Sequence, residues 1–212
     1  WDTSSVLFFN SLLKGASSYN QPIQGLDISS AVVLSGMFDG ASVFNQELVD
    51  WQLETGNVVT MESMFNGATA FNKDVGKWSI SSLTNASNMF TGSGLTTPQY
   101  DSLLIGWGRQ IDEAIVQSNV TLSDVPCAYT AGSAAAKFRG DLIDTSVSGR
   151  SWTIVDLGAT PLPPPILLDF DINTNNTESG STTNVQYRLP LMSTETYDLY
   201  VEWGDGSYNF IT

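Results

Sequence analysis

The sequence predicts an α/β solenoid of parallel strands, closed at its C-terminal end by a helical cap and followed by a partial antiparallel β-sandwich. Three observations carry that prediction. A unit of 25 to 27 residues occurs four times in succession with its apolar positions in phase. A helix–strand–helix–strand pattern follows, and past a proline-rich spacer the chain changes to short alternating strands. A unit of this length cannot bury its apolar side alone, whereas stacked units share one core.

The copies span 1–25, 26–50, 51–77 and 78–94. Trp1, Leu26, Trp51 and Trp78 open them. Leu12-Leu13, Met37-Phe38, Met64-Phe65 and Met89-Phe90 then recur in phase, as do Gly15-Ala16, Gly40-Ala41, Gly67-Ala68 and Gly92-Ser93. Tyr19-Asn20, Phe44-Asn45 and Phe71-Asn72 come next, ahead of Ile23, Leu48 and Val75. The five-residue pieces Tyr19–Ile23, Phe44–Leu48 and Phe71–Val75 read as short parallel strands along one face. Asn20, Asn45 and Asn72 then form a structural ladder, each side chain bonding the backbone of the next turn, because a buried amide needs partners. Pro22 cannot donate to a ladder, which suits an edge strand. The glycines mark positive φ or close approach between coils. Val58–Phe65 spaces its apolar residues three or four apart, as in a helical or 3₁₀ turn. The two extra residues of copy three fall at Glu54-Thr55-Gly56, as a loop bulge.

Residues 95–158 read as a C-terminal cap. Thr97-Pro98 starts a helix that runs to about Arg109, with Tyr100, Leu103, Leu104 and Trp107 on one side. Asn119–Leu122 is a strand, Ala131–Thr145 a second helix, and Trp152–Asp156 a second strand. Residues 159–165, rich in proline, form a semi-rigid linker. Residues 166–212 carry strands at Ile166–Asn173, Val185–Leu189, Tyr197–Trp203 and Tyr208–Thr212, the last two joined by Gly204-Asp205-Gly206. Four strands are few for a sandwich of ~100 residues. The absence of a polar unit ahead of Trp1 likewise points to a segment of a longer polypeptide.

Charge narrows the function. Eight Lys and Arg against 22 Asp and Glu give −14, a surface that repels phosphate backbones and anionic lipid. Nucleic acid is therefore not an expected partner. No apolar run is long enough to insert into a membrane. The chain has no histidine, which removes the commonest general base and every Ser-His or Cys-His dyad. Cys127 is alone, so it reads as a buried structural thiol.

The unit Trp–x(10)–Met-Phe–x–Gly-Ala–x-x–Phe-Asn–x-x–Ile is similar to the repeat of BspA-like leucine-rich-repeat surface proteins, abundant in Mycoplasma. Tyr100–Asp156, with Cys127–Ala135, resembles the cap that ends such arrays, and Trp203-Gly-Asp-Gly-Ser207 resembles PKD-like β-sandwich modules. The resemblance implies a right-handed leucine-rich-repeat-like solenoid and an extracellular or cell-surface location. It brings no catalytic residues. Copy one departs from it at Leu12-Leu13 and Tyr19, and copy four passes into the cap without a Phe-Asn step.

No catalytic residue and no metal site is expected. The Trp1, Trp51 and Trp78 column is core, since Leu26 fills the same slot. Calcium is the one cofactor left open: Asp169–Asn175 has the alternate oxygens of a calcium loop. It lacks glycine at the sixth place, and Gly180 stands where the twelfth would be glutamate. A strand with outward acids accounts for it better, and Asp205 is first a turn-former. Asn85, Asn119 and Asn175 begin glycosylation motifs. The solvent side of the ladder, Gln21, Gln46, Glu47, Lys73 and Asp74, is the candidate partner-binding face. The expected function is adhesion or recognition of proteins or glycans at a cell surface, without catalysis. The alternative is a subunit of an extracellular filament or coat that binds copies of itself through β edges.

Overall fold

The computed structural model describes residues 2–23, 25–48, 51, 54–112, 116–146, 149–160, 166–172, 185–191, 199–202 and 208–211. It divides into two units, Trp1–Pro161 and Leu162–Thr212.

In the first unit, one backbone device recurs in copies one to three. Alternate N–H groups point to the following copy: Leu34, Gly36, Phe38 and Gly40 donate to the carbonyls of Thr60, Glu62, Met64 and Asn66 at 2.7–3.0 Å. The intervening N–H groups close tight local turns, Met37 to Leu34, Asp39 to Gly36 and Ala41 to Phe38. Copies one and three repeat both sets, with Phe9, Ser11, Leu13 and Gly15, and with Met61, Ser63, Phe65 and Gly67, as the exported donors. Phe8, Val33, Thr60, Asn85 and Thr121 form a column of parallel bridges alongside.

This arrangement relocates the strands expected from the sequence. Tyr19–Ile23, Phe44–Leu48 and Phe71–Val75 are not strands; the parallel pairing lies at Phe8 and its equivalents. Of the two alternatives expected at Val58–Phe65, a helical or a 3₁₀ turn, the residues form turns closed three apart, as Met64 N–H to Met61 O, and no α-helix. The three- and four-residue spacing comes from successive turns, whereas an α-helix keeps every N–H inside itself. At the extra residues of copy three, Glu54–Asn57 is a 3₁₀ turn with Thr55 fully buried.

Two left-handed residues per copy make the exported donors possible. Gly15, Gly40, Gly67 and Gly92 have φ of +63 to +75°, and Ser11, Gly36, Ser63 and Asn88, four places earlier, have +55 to +62°. The glycines also stack, a Cβ on Gly67 falling 3.6 Å from Gly40 Cα. That distance is an ordinary contact, so the cost of Gly67→Ala comes from left-handed backbone. We expect about 1–2 kcal/mol, read as a lower urea midpoint at unchanged m-value.

Inside the turns, aromatic rings stack from copy to copy. Phe38, Phe65 and Phe90 are separated by 5.3 and 5.8 Å, and Tyr19, Phe44 and Phe71 by 6.4 and 6.2 Å, all near parallel. The two columns touch, Phe65 and Phe71 at 3.8 Å. Trp51 and Trp78 are buried beside them, 6.1 Å apart. One apolar cluster runs from Phe9 to Trp152. Just past copy four, Leu95-Thr96 at the start of the cap takes the Phe-Asn place: Leu95 is buried, and Thr96 N–H is bonded to Asn72 as Asn72 N–H is to Asn45.

The cap begins with α1 (Thr97–Asp112), whose buried side is Tyr100, Leu103, Leu104 and Trp107. Gln110 clamps copy four, donating to the Trp78 carbonyl at 2.8 Å and accepting from Ile80 N–H at 3.0 Å. Strand β1 (Thr121–Leu122) continues the bridge column, and β2 (Tyr129–Thr130) follows it. Helix α2 (Ala134–Ile143) begins later than expected, because Ser133 caps it by accepting from Ala136 N–H and Gly132 lies at φ +69°. Strand β3 (Thr153–Ile154) pairs in parallel with β1. Strand β4 (Ala159–Thr160) pairs in parallel with β2, so Ala159 and Thr160 belong to the cap rather than to a linker. Residues 161–165 lie outside the described residues.

In the second unit, β5 (Ile166–Ile172) pairs antiparallel with β6 (Val185–Leu191), Ile166 opposite Leu191. Strand β7 (Leu199–Glu202) pairs antiparallel with β8 (Tyr208–Ile211), Glu202 opposite Tyr208. The Gly204-Asp205-Gly206 turn lies outside the described residues.

Candidate functional site

The turn-and-export backbone sets the asparagines of successive copies one above the next. Asn20 Oδ1 accepts from Asn45 N–H at 2.9 Å, Asn45 Oδ1 from Asn72 N–H at 3.0 Å, and Asn72 Oδ1 from Thr96 N–H at 3.0 Å. Thr96 Oγ1 also donates to Asn72 Oδ1 at 3.1 Å. Asn20 is exposed, whereas Asn45 and Asn72 are half-buried. Removing the Asn45 amide leaves the half-buried Asn72 N–H without its acceptor; removing that of Asn20 strips Asn45 N–H and one bond of Gln46 Nε2, but at a more exposed place where water replaces the acceptor. Asn45→Ala is therefore expected to cost about 1 kcal/mol and Asn20→Ala less, measured as the difference between their denaturation midpoints.

The five residues assigned to the partner-binding face lie beside this ladder, and four are held by neighbours. Gln46 Nε2 donates to Asn20 O and Oδ1 at 3.0 and 2.9 Å. Lys73 Nζ and Glu47 Oε1 are 2.9 Å apart. Asp74 accepts from Ser102 Oγ of α1 and from Gly76 N–H, both at 2.8 Å. Gln21 is exposed. The row thus passes from the repeats onto the cap as one surface of fixed polar groups.

Two polar columns were missed by the sequence reading. Lys14 and Asp39 pair at 2.8 Å, and Asn66 Nδ2 donates to Asp39 at 3.2 Å. Ser42 Oγ donates to Ser17 O at 3.3 Å, and Thr69 Oγ1 to Ser42 O at 3.1 Å. Their signal was the repeat phase: each residue precedes or follows the Gly-Ala pair of copies one to three. Elsewhere, Ser4 and Ser29 each donate through N–H and Oγ to Asp2 and Asp27, which holds both carboxyls below their usual range.

The remaining candidates divide. Asn85 is occupied, donating to Glu62 at 3.3 Å and accepting from Ser87 N–H at 2.9 Å. Asn119 is exposed at φ +61°. Asn175 and Asp205 lie outside the described residues, as does Trp1. Asp169 and Asp171 fall in β5, and Asn173–Asn175 are not described. Among the described residues no cluster of His, Cys, Asp or Glu could hold a metal ion.

Among the described residues of the cap, a carboxylate is buried against an arginine. The Asp156 side chain, 2% exposed, accepts from Arg139 Nε and Tyr100 OH, both at 2.7 Å, and from Gly158 N–H at 3.0 Å. Burial and then the Asp156 hydrogen bond push the Tyr100 hydroxyl up. Cys127 is 8% exposed; burial, with Asp156 and Asp101, pushes its thiol up to about 12. Below its ordinary value of ~8.5 the thiol is protonated whether the chain is folded or not, and its contribution is constant. Above that the unfolded chain loses the proton first, so stability falls as pH rises toward 12. Urea unfolding at pH 8 and pH 11 should show that fall, with a smaller one in Cys127→Ala.

Residues 1–102 match a family model described as "Mycoplasma protein of unknown function, DUF285". No curated protein and no solved structure matches the chain. The repeats and the first turns of α1, just under half of the sequence, are thus similar to that Mycoplasma family.

Proposed function

We propose that this chain is a non-enzymatic extracellular surface protein that recognises a protein or glycan partner at a cell surface. In this reading the repeats form a right-handed leucine-rich-repeat-like solenoid of the BspA-like kind, and residues 166–212 belong to a PKD-like module. The observation that supports it most is the polar row at Gln46, Glu47, Lys73 and Asp74, fixed at repeat spacing beside the asparagine ladder. Groups already held in place lose little conformational freedom on binding. The chain also lacks histidine, and a net charge of −14 disfavours nucleic acid and anionic lipid. No helix among the described residues is long and apolar enough to cross a membrane.

The test is binding of the purified chain to glycan arrays and to intact cells, alongside the double variant Glu47→Lys/Lys73→Glu. Binding that the charge exchange weakens about tenfold, at unchanged thermal stability, supports the reading. Binding indifferent to the exchange removes this face, and hydrolytic activity lost with a single Asp or Glu removes the non-enzymatic reading. The alternative, a filament or coat subunit assembling through β edges, is favoured by exposed Val155 and Leu157 beside β3, at 49% and 72%. Ordered end-to-end chains in electron micrographs would select it.

A further inference from the structure

The bonds of the asparagine ladder fix where its unused hydrogen-bonding groups point. The N–H groups of Asn45, Asn72 and Thr96 can meet only an acceptor, so Oδ1 of Asn20, Asn45 and Asn72 faces along the stack. A side-chain amide is planar and carries its nitrogen opposite its oxygen. Each Nδ2 therefore turns away from the ladder. Asn20 is exposed, and among the described residues the amide nitrogens of Asn45 and Asn72 are neither hydrogen-bonded nor among the buried polar atoms. Three amide donors thus stand in line at the coil spacing, ~4.8 Å.

A line of acceptors runs beside them. Gln46 spends Nε2 on Asn20, which leaves its Oε1 to accept. Glu47 gives one carboxylate oxygen to Lys73 and keeps the other, its side chain being 54% exposed. Donors next to acceptors suit a hydroxyl, which has one proton to give and two lone pairs. It can accept from an asparagine amide while its proton goes to Gln46 or Glu47, and each bond polarises the other. A backbone carbonyl only accepts. On one side of an extended peptide the carbonyls recur every second residue, at about 6.8 Å, and fall out of step with the row. A second copy of this chain would set donor against donor. An extended chain of β-linked sugar rings carries hydroxyls on every ring and advances by close to one coil spacing per ring. The net charge of −14 repels uronate, sulfate and sialic acid groups, which leaves uncharged sugars.

We propose that the row binds a neutral, extended β-linked polysaccharide laid along the stack from Asn20 to Asn72. The amides of Asn20, Asn45 and Asn72 donate to ring hydroxyls, and the protons of those hydroxyls go to Gln46 and Glu47. The inference rests on the row being a recognition face, and it narrows the partner to one chemical class.

Asn→Asp separates the donors from the ladder, because aspartate keeps the oxygen that the next N–H needs and loses the amide hydrogens. The test is calorimetric titration of the full chain with neutral β-linked hexasaccharides of glucose and of N-acetylglucosamine. Asn45→Asp/Asn72→Asp and Asn20→Asp are titrated alongside. Gln21→Glu, at the next and equally exposed position, adds the same charge outside the ladder and is the control for Asn20→Asp. The expected result is binding of at least one hexasaccharide, weakened at least about tenfold in the double variant, with thermal stability unchanged. Asn20→Asp should weaken it more than Gln21→Glu, and it decides alone where the double variant unfolds. Binding of neither hexasaccharide, or binding that Asn→Asp leaves unchanged, overturns the proposal. So does an equal loss in Asn20→Asp and Gln21→Glu, which would be charge alone. A protein partner weakened by Glu47→Lys/Lys73→Glu, with both saccharides ignored, overturns the polysaccharide and leaves the recognition face standing.

Discussion

Gly106→Ala is expected to destabilise the first unit, although alanine is the better helix former by ~0.8–1.0 kcal/mol. Gly106 lies in α1, and a Cβ there would sit 2.0 Å from the carbonyl oxygen of Gly76 and 2.5 Å from its carbon. Gly76 is equally confined, its own Cβ falling 2.4 Å from the carbonyl of Ser102. The helix and the end of copy three therefore meet backbone to backbone. That approach lets Trp107 Nε1 reach the Val75 carbonyl at 3.3 Å. Relieving the overlap means moving α1 outward, away from the core that Leu103, Leu104 and Trp107 fill. Overpacking of this kind costs about 3 kcal/mol at its upper range, so the net loss is about 2 kcal/mol and the melting temperature falls by roughly 4–8 °C. Gly140 in α2 supplies the opposite sign, since nothing lies within 4 Å of a Cβ there. Gly140→Ala should raise stability by up to ~1 kcal/mol. Thermal unfolding followed by circular dichroism checks both. Equal and positive effects from the two alanines would mean that α1 does not meet copy three at Gly76.

The repeat phase made much of the first unit legible. Positions that recur every 25 to 27 residues proved to be stacked positions, and Phe38, Phe65 and Phe90 lie in one column for that reason. Phase says which residues are equivalent but not which backbone conformation they share. At Val58–Phe65 spacing alone leaves a helix and a 3₁₀ turn together, because turns closed every three residues bury side chains at helical spacing. Only the destination of the alternate N–H groups separates the two, and side-chain type does not encode it. The left-handed position shared by Ser11, Gly36, Ser63 and Asn88 was overlooked for a related cause. Only one of the four is glycine, and Ser and Asn are also ordinary turn residues.

Site residues followed the same division. The asparagine row was visible because identical side chains recur in register. The Lys14, Asp39 and Asn66 column was not, because three unlike residues occupy one place and their bonds appear only when copies are superposed. The cap repeats nothing, so its long-range contacts had no phase to reveal them. Strands β2 and β4 are two residues each, too short to leave an alternation. The pairing of Arg139 with Asp156, 17 residues away, could be chosen over other charges only by the fold.

Asp156→Ala is expected to cost about 3–5 kcal/mol, as for any buried pair stripped of one partner. The carboxylate joins three pieces of the cap: Tyr100 of α1, Arg139 of α2 and Gly158 before β4. Arg139 also donates to the Ile154 carbonyl at 3.4 Å, and its guanidinium lies 4.9 Å from the centre of the Tyr129 ring. Burial alone would lower the arginine pKa, but the Asp156 hydrogen bond and charge outweigh it, and the group is held above its ordinary value. With the carboxylate gone, a cation whose side chain is 16% exposed and a fully buried Tyr100 lose their acceptor together. The lost Coulomb attraction is the smaller part of the cost; the uncompensated desolvation of Arg139 is the larger. The double variant Asp156→Ala/Arg139→Met removes both charges and should recover part of the single variant's loss, giving a coupling energy of about 1–3 kcal/mol. Tyr100→Phe, which removes one donor and leaves the ion pair, should cost only about 1 kcal/mol. Chemical denaturation of the four proteins at one pH measures the cycle. A double variant less stable than Asp156→Ala alone would show that the arginine is satisfied without its carboxylate, and that the cap is held by its apolar side chains instead.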